Sequence, residues 1–262
     1  MPVFVQAMKD SWRSVIYWAL ALILVMTLYV SFYSSIGGSA PMQDVMSQLP
    51  DGVVAAMGIG DIGSGAGWAH STFFGLLGVF LLAAASISWG AKAIAGDEES
   101  GMLELTLAHR VSRSRLYAER TLGIVLRLAV LGAAVGLVLL VLNESAGLDL
   151  ELANIPPQIV AYVGVGVVCA TATLAVGAAT GNRSLATAVG AGVFAAAFLL
   201  NALSNVDESN GWMATISPVS WAYENRPLSN GWELRGVALL YLTGVVLGAI
   251  GWAVFTRRDI GS

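Results

Sequence analysis

Charge is what this chain of 262 residues has least of. Only 11% of its residues are Asp, Glu, Lys or Arg, against roughly 25% in an ordinary soluble domain. So few charges do not cover a soluble surface of this size, and the mean hydropathy of +0.74 points the same way. A soluble enzyme is excluded and an integral membrane protein is implied. Cysteine is scarce as well. The one residue, Cys169, sits in an apolar run, so no intrachain disulfide forms. Two histidines, His70 and His109, do not make a histidine-rich metal site, and no metal is expected. The 13 basic residues are too few and too scattered to track a phosphate backbone, so nucleic acid is excluded as a partner.

Catalytic motifs are missing too. A zinc protease needs H-E-x-x-H, which does not occur. A serine hydrolase needs a nucleophile with a basic partner at membrane depth. Gly63-Ser64-Gly65 shows no such partner and reads as a flexible loop. Glu98-Glu99 matches half of a glutamate-paired protease motif, but Leu103 stands where its Arg is needed, and no histidine follows in a later apolar run. No catalytic residue is expected.

What the chain does have is apolar length. Six runs of about 20 residues, the length that crosses a hydrocarbon core, occupy 15–36, 70–91, 122–142, 158–179, 185–203 and 236–256. They are continuous and do not alternate, which excludes a β-barrel. The fifth run is short and rich in Ala and Gly, so it reads either as a span or as a helix buried among others. Gly is abundant, at 30 residues, as suits close helix packing. The pairs Gly132/Gly136 and Gly244/Gly248 fit either intramolecular packing or a dimer face. Lys9 and Arg13 before the first run resemble a signal peptide, but no A-x-A site follows, so a retained span is expected. With the N-terminus inside, all of the 13 Lys and Arg except Arg226 and Arg235 fall on inner segments or near the inner ends of spans. That bias places both termini in the cytoplasm.

Three connecting segments are too long for simple turns. In the first outer one, Met42, Val45, Met46 and Leu49 share a helix face before the turn Pro50-Asp51-Gly52. It reads as an interfacial helix or an outer lid. In the last outer one, 204–235, Trp212, Trp221, Tyr223 and Trp232 suit an interfacial belt. Pro218 and Pro227 suit broken re-entrant pieces, tolerated only where packed against protein. His70 reads as an interfacial residue at the outer edge of the second run. The inner segment 92–121 carries acids first and bases last, which suits a helix macrodipole. Ser100 can cap a short helix on which Leu103 and Leu107 share a face widened by Met102 and Leu105, and Ser112 or Ser114 can cap the next one. It reads as a hairpin or helix on lipid headgroups, or as a docking element for a soluble partner.

No Asp, Glu or Lys lies within the six runs, and Arg127 alone among charged residues does. It stands roughly 8 Å from the start of its run at 1.5 Å per residue. Its side chain can snorkel as an anchor, or it can stand at the inner mouth of a pathway. Ion-coupled transporters need ionisable groups at that depth. No G-x-x-x-x-G-K-[ST] loop occurs either. Uphill transport would have to be energised by another chain, docked on the inner face at 92–121. The alternatives are a non-transporting assembly or structural protein of the membrane and, behind it, an intramembrane enzyme.

Residues 99–113, Glu-Ser-Gly-Met-Leu-Glu-Leu-Thr-Leu-Ala-His-Arg-Val-Ser-Arg, resemble the cytoplasmic signature of ABC type-2 permeases, the six-span membrane subunits of ABC exporters. The pattern is roughly E-x-G-T-L-E-L-L-L-x-x-P-V-S-R. This chain keeps Glu99, Gly101, Leu103, Glu104, Leu105, Leu107, Val111, Ser112 and Arg113, and departs at Met102, Thr106 and Arg110. Ile216-Ser217-Pro218 with Arg226-Pro227-Leu228, and Gln48-Leu49-Pro50 with Met57-Gly58, are similar to outer patterns of the same family.

The resemblance implies an all-α polytopic fold of the type V exporter kind, with an N-terminal amphipathic helix at 1–14, a six-helix domain at 15–256 and a cytoplasmic tail at 257–262. It implies a plasma (inner) membrane permease paired with a second half, as homodimer or heterodimer. Separate ABC ATPase subunits would carry the ATP and Mg, and this chain would hold no cofactor. Glu98, Glu99, Gly101, Leu103, Glu104, Leu107, Arg110, Val111 and Arg113 would dock the ATPase. The cargo would be a drug, antibiotic or lipid of apolar or amphipathic character.

Overall fold

The computed structural model describes residues 2–37, 39, 48–50, 52–54, 61–108 and 111–258, with backbone alone at 2–11, 107, 108 and 208. The expected helix Met42–Leu49, the His109-Arg110 pair and the tail beyond Arg258 lie wholly or largely outside the described residues. Among them there is no strand. Six helical segments are long and apolar enough to cross a membrane: Trp12–Ile36, Gly65–Glu99, Arg113–Ser145, Leu152–Thr180, Arg183–Ser204 and Leu234–Arg257. Each contains one of the six apolar runs in full.

Helix ends depart from the runs because caps, and not hydropathy, set them. Ser64 is no flexible loop residue. Its Oγ accepts from Gly67 N at 3.0 Å and donates to Asp61 Oδ2 at 2.8 Å, so the second span begins five residues before the apolar run. Ser112 caps the third span by accepting from Arg115 N at 3.3 Å, and the helix enters through nine polar-rich residues before position 122. At the other end of the chain, Pro2–Ser31 is one continuous helix. No Pro or Gly separates residues 3–14 from the first apolar run, so the helix runs into the first span without a break.

The fourth span is the axis of the bundle: 78% of its apolar window is buried, against 17% for the first span and 22% each for the fifth and sixth. Its small residues explain this. A Cβ on Gly164 would lie 2.9 Å from Leu240 of the sixth span, and one on Gly166 would lie 3.0 Å from Ser86 Oγ of the second. Burial of Val, Leu and Ala between the spans gives dispersion contacts that lipid tails do not replace at the same density. The fifth span, which also allowed a reading as a buried helix, lies at the periphery.

The glycine pairs now separate. Gly132 and Gly136 both face the fourth span, at Val163 and Ile159. Gly244 faces Val167, while nothing lies within 4 Å of a Cβ on Gly248. Intramolecular packing accounts for three of the four.

The loops gather on two faces. The terminal face carries 100–108, 111–112, the 181–182 turn and the end of the sixth span. The opposite face carries 61–64, 146–151 and 205–233. There, short helices Pro218–Tyr223 and Pro227–Asn230 are broken by Pro and pack inward, with Val219, Ala222, Tyr223 and Leu228 buried. Trp212 and Trp232 stay exposed as a belt would be, but Tyr223 does not.

Candidate functional site

The segment between the second and third spans is tied to the bundle by ion pairs that reach far along the chain. The second span ends in a π-helical turn, Lys92–Gly96, followed by Asp97–Glu99. Each of the three acids has a different tether. Asp97 Oδ2 lies 2.5 Å from Arg120 Nη2 of the third span. Glu98 pairs with Arg258 at the end of the sixth span. Arg258 in turn donates to Ala178 O of the fourth span at 2.8 Å, and its own carbonyl accepts from Arg113. Glu99 Oε1 accepts from Arg183 N at 2.8 Å, where the fifth span begins and its first amides lack helical partners. So the ends of the second, third, fourth, fifth and sixth spans converge on three consecutive carboxylates.

Gly101 then turns the chain at φ +73° with open space around it. A side chain at that left-handed angle costs about 1–2 kcal/mol. The short helix Met102–Ala108 follows. Ser100 does not cap it: the Ser100 hydroxyl donates back to Asp97 O at 3.2 Å and closes the preceding turn. The helix divides its residues by face. Leu103 is 2% exposed and belongs to the core of the bundle. Met102, Glu104 and Leu105 are exposed. Large apolar side chains held out on a polar face are a mark of a binding surface when they adjoin one another.

The residues expected to dock a partner therefore fall into two groups. Glu98, Glu99, Leu103 and Arg113 are engaged with this chain itself, and Val111 packs against its core. Gly101 and Glu104 stand outward, joined by Met102 and Leu105 from the widened stripe. The side chain of Leu107 and all of Arg110 lie outside the described residues. Asp97, Arg120, Arg183 and Arg258 were not singled out by sequence. Their partners lie from 23 to 160 positions away, and no local pattern announces such pairs.

The third helix starts at Arg113, so Arg127 lies about 21 Å along it. The side chain is buried, with its guanidinium carbon 5.7 Å from the centre of the Trp89 ring. Trp89 Nε1 donates to Ser14 Oγ at 3.0 Å, so the cation is stacked inside the contact of the first three spans. His70, on the opposite face, is not simply interfacial: its ring meets Tyr223 edge-on at 5.1 Å. Among the described residues, no group of three or more His, Cys, Asp or Glu is arranged to hold a metal.

Compared with known families, the chain matches a model described as ABC-2 family transporter protein over residues 1–260. No curated protein matches it.

Proposed function

The chain belongs to the ABC-2 transporter family and is a multi-pass membrane permease component of an ABC transporter; from that premise we propose that it is one half of an ATP-driven exporter of apolar or amphipathic molecules. The half pairs with a second permease chain in the plasma membrane. The terminal face is cytoplasmic, and separate ATPase subunits dock on it, bringing ATP and Mg. The chain itself holds no cofactor and hydrolyses nothing. The charge bias of the loops supports this orientation.

One observation carries the docking reading: Met102 and Leu105 stand exposed on a short helix whose Leu103 is locked in the core. The helix is thus held rigidly to the bundle on one side and offers an apolar knob on the other. A groove on an ATPase would bury the knob, with Glu104 setting its register. Movement of the ATPase would pass through Leu103 and the three carboxylates to the spans. Coupling of this kind needs an element whose two arrangements both sites bias.

The test is co-purification of the ATPase with wild type and with the double variant Met102→Ser, Leu105→Ser. Loss of two buried apolar side chains at about 1.5 kcal/mol each or more weakens association at least tenfold, with the spans still folded. Leu103→Ala behaves differently. It leaves a cavity in the core and lowers stability by about 2–5 kcal/mol, visible as a drop in the thermal midpoint of the isolated chain. Unchanged association in the folded double variant would remove the docking role from this helix. A chain that purifies folded with no ATPase at all would favour the assembly-protein reading.

A further inference from the structure

The three acids that end the second span are engaged within the chain, and two cations beside them are not. Asp97 pairs with Arg120, Glu98 pairs with Arg258, and the Glu99 carboxylate accepts from the Arg183 amide. Lys92 and Arg183 are both exposed. Among the described residues, neither the Lys92 ammonium nor the Arg183 guanidinium makes an ion pair or a hydrogen bond. Gly96 brings the two to one place. A Cβ there would lie 3.3 Å from Lys92 Cγ and 3.6 Å from Arg183 Cδ, so both stems flank one backbone position where the second and fifth spans meet. Arg183 is unfavourably placed within the chain. It is the first residue of the helix Arg183–Ser204, where the helix dipole is positive and a cation is destabilised. Lys92 adds a second like charge. What the pair lacks is an anion from outside the chain.

A groove on the outside of the bundle leads away from these cations. On the second span Leu76, Phe80, Ala84, Ser88 and Lys92 recur at every fourth position, which sets them on one helix face, and all are exposed. The fifth span runs beside this stripe. A Cβ on Gly190 would lie 3.2 Å from Ile87 Cγ1, and Phe80 meets Phe194 and Phe198 edge-on at 4.9 Å each. Lys92 and Phe80 are about 18 Å apart along the helix at 1.5 Å per residue. That is close to the depth of one leaflet, about 15 Å or half the hydrocarbon core. The small side chain of Ala84 keeps the stripe low between Phe80 and Ser88. Ser88 stands one turn inside Lys92, and among the described residues its hydroxyl has no hydrogen bond although it faces the membrane. The turn Lys92–Gly96 is π-helical, a geometry that recurs at functional sites.

We propose that this groove between the second and fifth spans binds one anionic phospholipid of the leaflet that meets the terminal face. The phosphate lies between Lys92 and Arg183, the ester region lies at Ser88, and an acyl chain follows Ala84 to the Phe80, Phe194 and Phe198 rings. Binding requires no ATPase and stands apart from the docking reading. Charge complementarity selects the occupant. Basic side chains between spans at the membrane surface attract anionic headgroups, and a guanidinium matches a phosphate with two parallel hydrogen bonds. A zwitterionic lipid carries its own cation beside the phosphate and gains less. A second copy of this chain, inserted the same way up, would bring two more cations to the same depth. The Ser88 hydroxyl also gains a partner, since ester carbonyls accept hydrogen bonds and lipid tails do not.

The test uses the full chain in mild non-ionic detergent and native mass spectrometry, with dioleoyl phosphatidylglycerol and dioleoyl phosphatidylcholine as competing probes. Retention of phosphatidylglycerol is expected to saturate at one molecule and to exceed that of phosphatidylcholine at least tenfold, the scale of two surface cations. The double variant Lys92→Gln, Arg183→Gln abolishes the preference, while Lys92→Arg keeps it. The double variant Arg13→Gln, Arg257→Gln removes two other exposed cations and leaves the preference unchanged. Ala84→Trp fills the groove at an exposed position and lowers retention about tenfold with both cations in place. Equal losses in the two charge variants overturn the proposal, because the face then attracts anionic lipid by its overall charge alone. Retention unaffected by Ala84→Trp overturns it too, since no chain then lies in the groove. The one native cysteine, Cys169, is buried, so an Ala84→Cys chain that forms disulfide-linked dimers in membranes would show a second copy seated in the groove in place of the lipid.

Discussion

Gly90→Val should abolish the folded bundle, while Gly192→Val should leave it unchanged. Both glycines lie inside apolar helices, and sequence does not rank them. The structure does. A Cβ on Gly90 would stand 2.7 Å from Ala170 O and 2.9 Å from Thr173 Cβ, whereas nothing lies within 4 Å of one on Gly192. Ala170 O belongs to the backbone of the fourth span, the most buried helix of the bundle, and has no rotamer by which to withdraw. The second and fourth spans must then separate along their contact. That loses the close packing of Ala85, Ser86 and Trp89 on one side and Ala170 and Leu174 on the other, all buried. Overpacking a well-filled core costs about 1–3 kcal/mol where side chains can yield, and more where they cannot. A cost above about 3 kcal/mol is expected here, seen as loss of the monodisperse peak in mild detergent. Gly192→Val should elute like wild type. Equal behaviour of the two variants would mean that the second and fourth spans do not meet at Gly90.

The spans were legible in the sequence because membrane insertion depends on length and hydropathy, and both are local. Where spans begin was less so. Ser64 and Ser112 act as caps through hydrogen bonds to amides three residues on, and serines are too common for a cap to stand out beside the apolar run. The candidate docking segment was legible as a motif but not as a surface. On a helix of seven residues, Met102, Leu103 and Leu105 all fit an apolar stripe. Only the bundle behind the helix determines that Leu103 turns in and the other two turn out. The contact of His70 with Tyr223 had no local signal at all. His70 and Tyr223 are single residues in two distant segments, and only the packing of the hairpin against the second span brings their rings into contact.

The second large effect is expected at the pair Glu98–Arg258. Arg258→Gln should disturb the terminal face more than Glu98→Gln, although both delete the same ion pair. Arg258 has a second side-chain duty, because its guanidinium also donates to Ala178 O. With Glu98 neutralised, the cation keeps Ala178 and reaches water with its remaining donors. With Arg258 removed, Glu98 keeps a charge beside the Gly181 backbone with no cation against it. Breaking one side of a buried pair costs about 3–5 kcal/mol. A fifth of each side chain is open here, so the lower end, about 3 kcal/mol, applies to Arg258→Gln, and roughly 1 kcal/mol to Glu98→Gln. Gly181→Ala should resemble the first: its Cβ would fall 2.6 Å from both Arg258 Nη2 and Glu98 Oε1, at a backbone φ of +66°. These changes strike where the second, fourth and sixth spans are joined. In the assembled complex ATP hydrolysis should persist while its stimulation by cargo falls at least tenfold if, on the proposed docking reading, the Glu98–Arg258 tether is the one that carries the movement to the spans. Stimulation unchanged in a folded Arg258→Gln complex would show that the movement travels instead through Asp97 and Arg120 or through Glu99 and the fifth span. The same measurement on Asp97→Asn and Glu99→Gln separates those two routes.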